Sequence, residues 1–106
     1  MKREISTILN NLAMLHSDLE NVDQALIYLN ECIELNKRFE EEESLSSNYH
    51  NIGLIYRNKK DYKQALLFYN KALEIRERLN LEKRQSYTLS GIGSVYEEMD
   101  LSLIQI

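Results

Sequence analysis

A small residue returns at a fixed interval of 40 along this chain, as Ala13, Gly53 and Gly93. The same shift lays Asn51-Ile52-Gly53 on Asn11-Leu12-Ala13 and on Gly91-Ile92-Gly93, and Gln64-Ala65-Leu66 on Gln24-Ala25-Leu26. Asn30 and Asn70, Cys32 and Ala72, Glu34 and Glu74, and Arg38 and Arg78 also coincide. Tyr56 meets Tyr96, and Ser6, Ser46 and Ser86 fall in register. So many coincidences at one offset mark an array of repeated units, each a supersecondary element that needs its neighbours to bury its apolar face.

Each unit reads as two helices. Tyr49, Ile52, Gly53 and Tyr56 lie at i, i+3, i+4 and i+7, one face of a first helix, A. After the turn "RNKKD", Tyr62, Ala65, Leu66, Tyr69, Ala72 and Leu73 form one face of a second helix, B. Asp61 and Gln64, like Asn21 and Gln24, stand at the spacing of a capping-box variant. Gly53 and Ala65 are expected face to face, so that the two backbones approach closely. Tyr49, Tyr56 and Tyr69 then fill the space around them, and Ala72 serves the next helix A in the same way.

The chain has 106 residues, enough for one domain. It contains no proline and three glycines, which disfavours a turn-rich β architecture. A net charge of −4, with Lys and Arg interleaved with Glu, argues against a nucleic-acid surface. Cys32 is the only cysteine, so an intramolecular disulfide and a thiolate zinc site are excluded. The N-terminus is no convincing signal peptide, and no run reaches the roughly 18–20 apolar residues of a membrane span. The expected location is the cytoplasm.

The middle unit, with Tyr49, Ile52-Gly53, Tyr56, Ala65, Tyr69 and Ala72, resembles the tetratricopeptide repeat family. The first is a weaker copy, with Leu9, Leu12-Ala13, His16, Ala25, Leu29 and Cys32; the third has Leu89, Ile92-Gly93 and Tyr96 and then stops matching. The resemblance implies an all-α fold, a right-handed superhelical stack of antiparallel helix pairs with about two and a half repeats. These occupy about 6–45, 46–85 and, in part, 86–106. The family's usual proline is replaced by Glu77 or Lys37, and the period of 40 exceeds its common 34. Long repeats of this kind are similar to those of kinesin light chains, spindle-orientation adaptors and bacterial regulators of the Rap type. Six extra residues add about 9 Å of helix, so helix B is expected to run on towards Leu79 or Leu81. The tail "MDLSLIQI" lacks the cap and the small residue in register, so the third helix B is expected to be missing or degenerate, or the tail to fold back.

The resemblance also implies a non-catalytic interaction module that holds a peptide of a partner on a concave wall of A helices. The wall stripe is Ser47, His50, Asn51, Leu54, Arg57 and Asn58 in the middle unit. It is Thr7, Asn10, Asn11, Met14, Ser17 and Asp18 in the first, and Tyr87, Ser90, Gly91, Ser94, Glu97 and Glu98 in the third. The candidate peptide-binding residues are Asn10, Asn11, Met14, His50, Asn51, Leu54, Arg57, Asn58, Tyr87 and Ser94. Asn11 and Asn51 lead, because an amide both donates and accepts and can grip a peptide group; in the resembling families an Asn before the Leu-Gly pair has that role. Arg57 is the basic wall residue for an acidic group. The basic clamp that holds chaperone C-termini is absent, its positions being Asn10, Tyr87 and Gly91.

No metal site, cofactor loop or catalytic constellation is legible. His16 reads as a core residue, Cys32 as a small hydrophobe and Glu40 to Glu43 as a solvated helix end. Two alternatives stand beside the peptide-binding reading. One is a regulatory or sensory fragment of a larger signalling protein. The other is a self-associating module, a homodimer through Leu101, Leu103, Ile104 and Ile106.

Overall fold

The expected helices form, and their connections share one construction. The computed structural model describes residues 8–15 and 21–104, with side chains as far as Leu101. Helix α1 covers residues 8–15, followed by α2 (Val22–Arg38), α3 (Glu42–Asn58), α4 (Tyr62–Arg78) and α5 (Glu82–Ile104). No strand occurs among the described residues. The helices stack as an α-solenoid, α2 on α3, α3 most extensively on α4, and α4 on α5. Helices α1, α3 and α5 are A helices; α2 and α4 are B helices.

Helices α2, α3 and α4 each have 17 residues. The length beyond the common repeat is therefore shared by both helices of a unit, and helix B ends at Arg78 instead of running to Leu79 or Leu81. What ends each helix is a Schellman closure. The N–H of Glu41 donates to Asn36 O (2.8 Å), that of Asp61 to Tyr56 O (2.9 Å) and that of Leu81 to Arg76 O (2.9 Å). Glu40, Lys60 and Asn80 take left-handed backbone, with φ of 56°, 66° and 57°, and donate to Lys37, Arg57 and Glu77. The residue after each then accepts the first hydrogen bond of the next helix, as from Ala65 N to Asp61 O at 3.0 Å. The turn closes its own backbone, so no proline is needed to stop the helix.

The expected cap holds at Asp61, whose Oδ1 accepts from Gln64 N at 3.3 Å. It fails at Asn21, which makes no side-chain capping bond. Ala13, Ala25, Leu29, Ile52 and Ile55 form one buried cluster; Ala65, Tyr69 and Val95 form another. Cys32 is fully buried, as read from the sequence.

The glycine contact differs in detail from the expected one. A Cβ on residue 53 would stand 2.8 Å from Tyr69 Cδ1, so Gly53 makes room for a ring instead of a facing backbone. A Cβ on residue 91 would meet the same ring, 2.8 Å from Cζ. Tyr49 and Tyr56 pack on Phe68 instead, with centroids 6.2 and 5.8 Å away, and Lys71 lies over Tyr49 and Phe68.

Helix α5 runs without a break through Asp100 to Ile104. The tail does not fold back on α5 up to that point, and no third helix B occurs among the described residues. Asp100 stands where Glu40, Lys60 and Asn80 bend the chain, yet α5 continues through it as a helix, with Met99 packed on the cluster of Ala65, Tyr69 and Val95.

Candidate functional site

Successive A helices are tied edge to edge by polar side chains, and these ties define the wall. Between α1 and α3, Asn10 Oδ1 accepts from Asn51 Nδ2 (2.9 Å) and from Asn48 Nδ2 (3.4 Å). Asn48 Oδ1 in turn accepts from the buried Asn36 Nδ2 of α2, at 2.6 Å. Between α3 and α5, Thr88 Oγ1 lies 3.1 Å from His50 Nδ1 and accepts from Arg76 Nη1 of α4 at 2.7 Å. Arg57 adds an ion pair to Glu98 of α5, at 4.0 Å.

The two junctions occupy the same register. Asn36 and Arg76 differ by the repeat length, as do Asn48 and Thr88. One junction is a neutral amide chain, and the other is built around a buried guanidinium. Arg76 is 5% exposed, and no carboxylate lies within ion-pair distance of it among the described residues. Its donors reach Ser46 Oγ (3.1 Å), Thr88 Oγ1, Arg84 O (3.2 Å) and Ser47 Oγ (3.4 Å). Burial, and the charge of Arg84, lower its pKa to about 10, so it stays cationic at neutral pH.

His50 sits against this cation and over Tyr69, ring centroids 5.1 Å apart. Burial, aided by the charges of Arg76 and Arg57, lowers its pKa to about 4. Arg76 Nη1 approaches Nδ1 at 3.5 Å as a donor, so Nδ1 is the acceptor and the neutral ring carries its proton on Nε2. His50 is thus a junction residue more than a free wall residue.

The other wall residues divide in the same way. Asn51 spends its amide N–H on Asn10, and Asn10 is itself half-buried. Asn11, Asn58 and Tyr87 are exposed, while Met14, Leu54 and Ser94 are half-buried. Gly91 leaves the wall altogether and lies buried against Tyr69. Arg57 Nε is buried with no hydrogen-bond partner among the described residues. His16, Thr7, Ser17 and Asp18 lie outside the described residues. Leu101 is 57% exposed; the side chains of Leu103 and Ile104, and all of Ile106, lie outside the described part. The sequence reading missed Asn36, Asn48, Arg76 and Thr88. The available signal was polar residues recurring at one register on faces that otherwise pack.

The tetratricopeptide repeat pattern matches residues 4–78 and again 45–101. The chain belongs to the tetratricopeptide repeat family. Among solved structures, BtubC (BKLC) from P. vanneervenii, a kinesin light chain-like protein with the same repeats, superposes with a TM-score of 0.79 at 32% identity. The match covers 87% of this chain and 39% of that one. No curated protein sequence matches. Tetratricopeptide repeats are in general non-catalytic modules of protein–protein interaction. In this one, no described group of His, Cys, Asp and Glu could hold a metal ion. No described helix is long and apolar enough to cross a membrane. A shallow cleft of about 450 Å³ at the α2–α3 turn, lined by Asn36, Lys37, Glu40, Glu42 and Leu45, lies away from the wall.

Proposed function

We propose that this tetratricopeptide array is a cytoplasmic, non-catalytic module that holds an extended peptide of a partner protein on the wall formed by α1, α3 and α5. The observation that carries the reading is the pair of polar ties, Asn10–Asn51 and His50–Thr88, which join successive A helices into one surface. Asn11 and the carbonyl of Asn51 offer polar contacts to a peptide backbone, and Met14 and Leu54 offer apolar ones. Arg57, drawn towards Glu98 at 4.0 Å, is the wall cation that an acidic ligand group meets. Asn10 and His50 support the wall from behind and are not the principal contacts.

An array of overlapping peptides probed with the chain, followed by titration of the best binder, tests this. Asn11→Ala and Leu54→Ala should weaken binding with the fold intact. Binding indifferent to both would remove the peptide from the wall.

A further inference from the structure

The outer faces of the two B helices are alike in pattern and opposite in charge. On α2 the residues turned away from the core are Asp23, Ile27, Asn30, Glu31, Glu34 and Lys37. On α4 their repeat equivalents are Lys63, Leu67, Asn70, Lys71, Glu74 and Glu77, exposed in the same way. Ile27 and Leu67 are 50% and 47% exposed, an apolar point at the same register on each helix. Around them the charge inverts at three positions: Asp23 becomes Lys63, Glu31 becomes Lys71 and Lys37 becomes Glu77. None of these six joins an ion pair among the described residues, although Glu42 and Glu43 each hold an arginine. Lys71 is steadied over the Tyr49 and Phe68 rings, which places its ammonium without neutralising it.

We propose that these outer faces join two copies of the chain, with α2 of one copy lying parallel to α4 of the other. Both helices pack antiparallel to α3 and so run parallel to each other. A two-fold axis along their direction sets each residue of α2 opposite its repeat equivalent in the other copy. Asp23 then meets the partner's Lys63, Glu31 the partner's Lys71 and Lys37 the partner's Glu77, with Ile27 against the partner's Leu67. Symmetry makes every one of these contacts twice. Glu34 against the partner's Glu74 is the like-charged exception. The inversion specifies a second copy, because α2 and α4 of one chain turn their outer faces the same way and cannot meet each other. Further repeats would leave this surface open, since repeats stack through the inner face and flanks of the B helices. Two helices against two make a small contact, so the dimer is a weak one.

The A-helix wall lies on the other side and stays open in both copies, so peptide binding and dimerisation are tested apart. Sedimentation equilibrium of the full chain from about 10 µM to about 1 mM reads the association. A monomer–dimer equilibrium that weakens with added salt is expected. Lys63→Glu with Lys71→Glu makes both faces acidic, and Asp23→Lys with Glu31→Lys makes both basic. Each double variant should self-associate at least about tenfold more weakly. An equimolar mixture of the two should restore the dimer, because every acidic face then meets a basic one. All four side chains are exposed, so the circular dichroism of both variants should match that of the parent. Leu101→Ser should leave the equilibrium unchanged. A parent still monomeric at about 1 mM overturns the proposal, as does a dimer that the reversals leave intact or that mixing does not restore. So does a dimer lost on Leu101→Ser, because the contact would then lie at the end of α5.

Discussion

The Tyr69 ring lies so close to Gly53 that a methyl group on residue 53 would stand 2.8 Å from Cδ1, and Gly91 bounds the same ring near Cζ. The ring is fully buried and cannot swing aside. Alanine normally gains about 1 kcal/mol over glycine inside a helix. At residues 53 and 91 the overpacking should outweigh that gain, for a net loss of about 1–2 kcal/mol. At residue 93, where the space is open, Gly93→Ala should stabilise the chain by about 0.5–1 kcal/mol. Thermal melts of the three alanine variants check the ordering; equal shifts at all three would disprove the packing described.

The three turns make a second contrast. A non-glycine residue in left-handed backbone costs about 1–2 kcal/mol, except that asparagine tolerates it. Lys60→Gly and Glu40→Gly should each raise stability by about 0.5–1 kcal/mol, whereas Asn80→Gly should change it little. Urea denaturation midpoints measure this.

His50 gives the junction a pH dependence. Its folded-state pKa of about 4 is below the ordinary value of 6.5, so between these limits the unfolded chain binds more protons than the folded one. Stability therefore falls as pH drops from 6.5 to about 4 and gains nothing further from this group below that. The half-exposed ring sees partly screened charges, and the loss should be about 1–2 kcal/mol. The difference in melting temperature between parent and His50→Gln should narrow across this window; a constant difference would show that His50 titrates alike in both states.

Buried Arg76 serves Ser46, Thr88 and His50 together. Arg76→Ala should cost about 2–3 kcal/mol, combining a void with hydroxyl groups left unpaired. Arg76→Met keeps most of the volume and should cost less. Equal losses would show that the hydrogen bonds, and not the packing, dominate.

Asn10 and Asn11 are neighbours with different expected effects. Asn10 accepts two hydrogen bonds from α3, and Asn10→Ala should destabilise by about 1 kcal/mol. Exposed Asn11→Ala should stay within about 0.5 kcal/mol, and its effect should appear in binding alone. Chemical denaturation of both variants separates the roles.

The sequence by itself determined the period, the helices and turns, the cap at Asp61 and the need for small residues at 53 and 65. These follow from backbone geometry and local hydrogen bonding, which act within about one repeat. It also supplied the stripe of A-helix residues from which the wall is built. Tertiary structure decided which members of that stripe stay available. Asn10, Asn51 and His50 are engaged across junctions because their rotamers meet partners on other helices, and Gly91 turns from the wall to Tyr69. It decided, too, that Gly53 faces a ring and that Gly93 faces none. Such pairings depend on interhelical register to within an ångström, which periodicity along one helix does not carry. The same limit explains α5: residues 99–101 can follow a helix or a turn, and the helix that continues there packs Met99 on the cluster of Ala65, Tyr69 and Val95, a contact set by interhelical register.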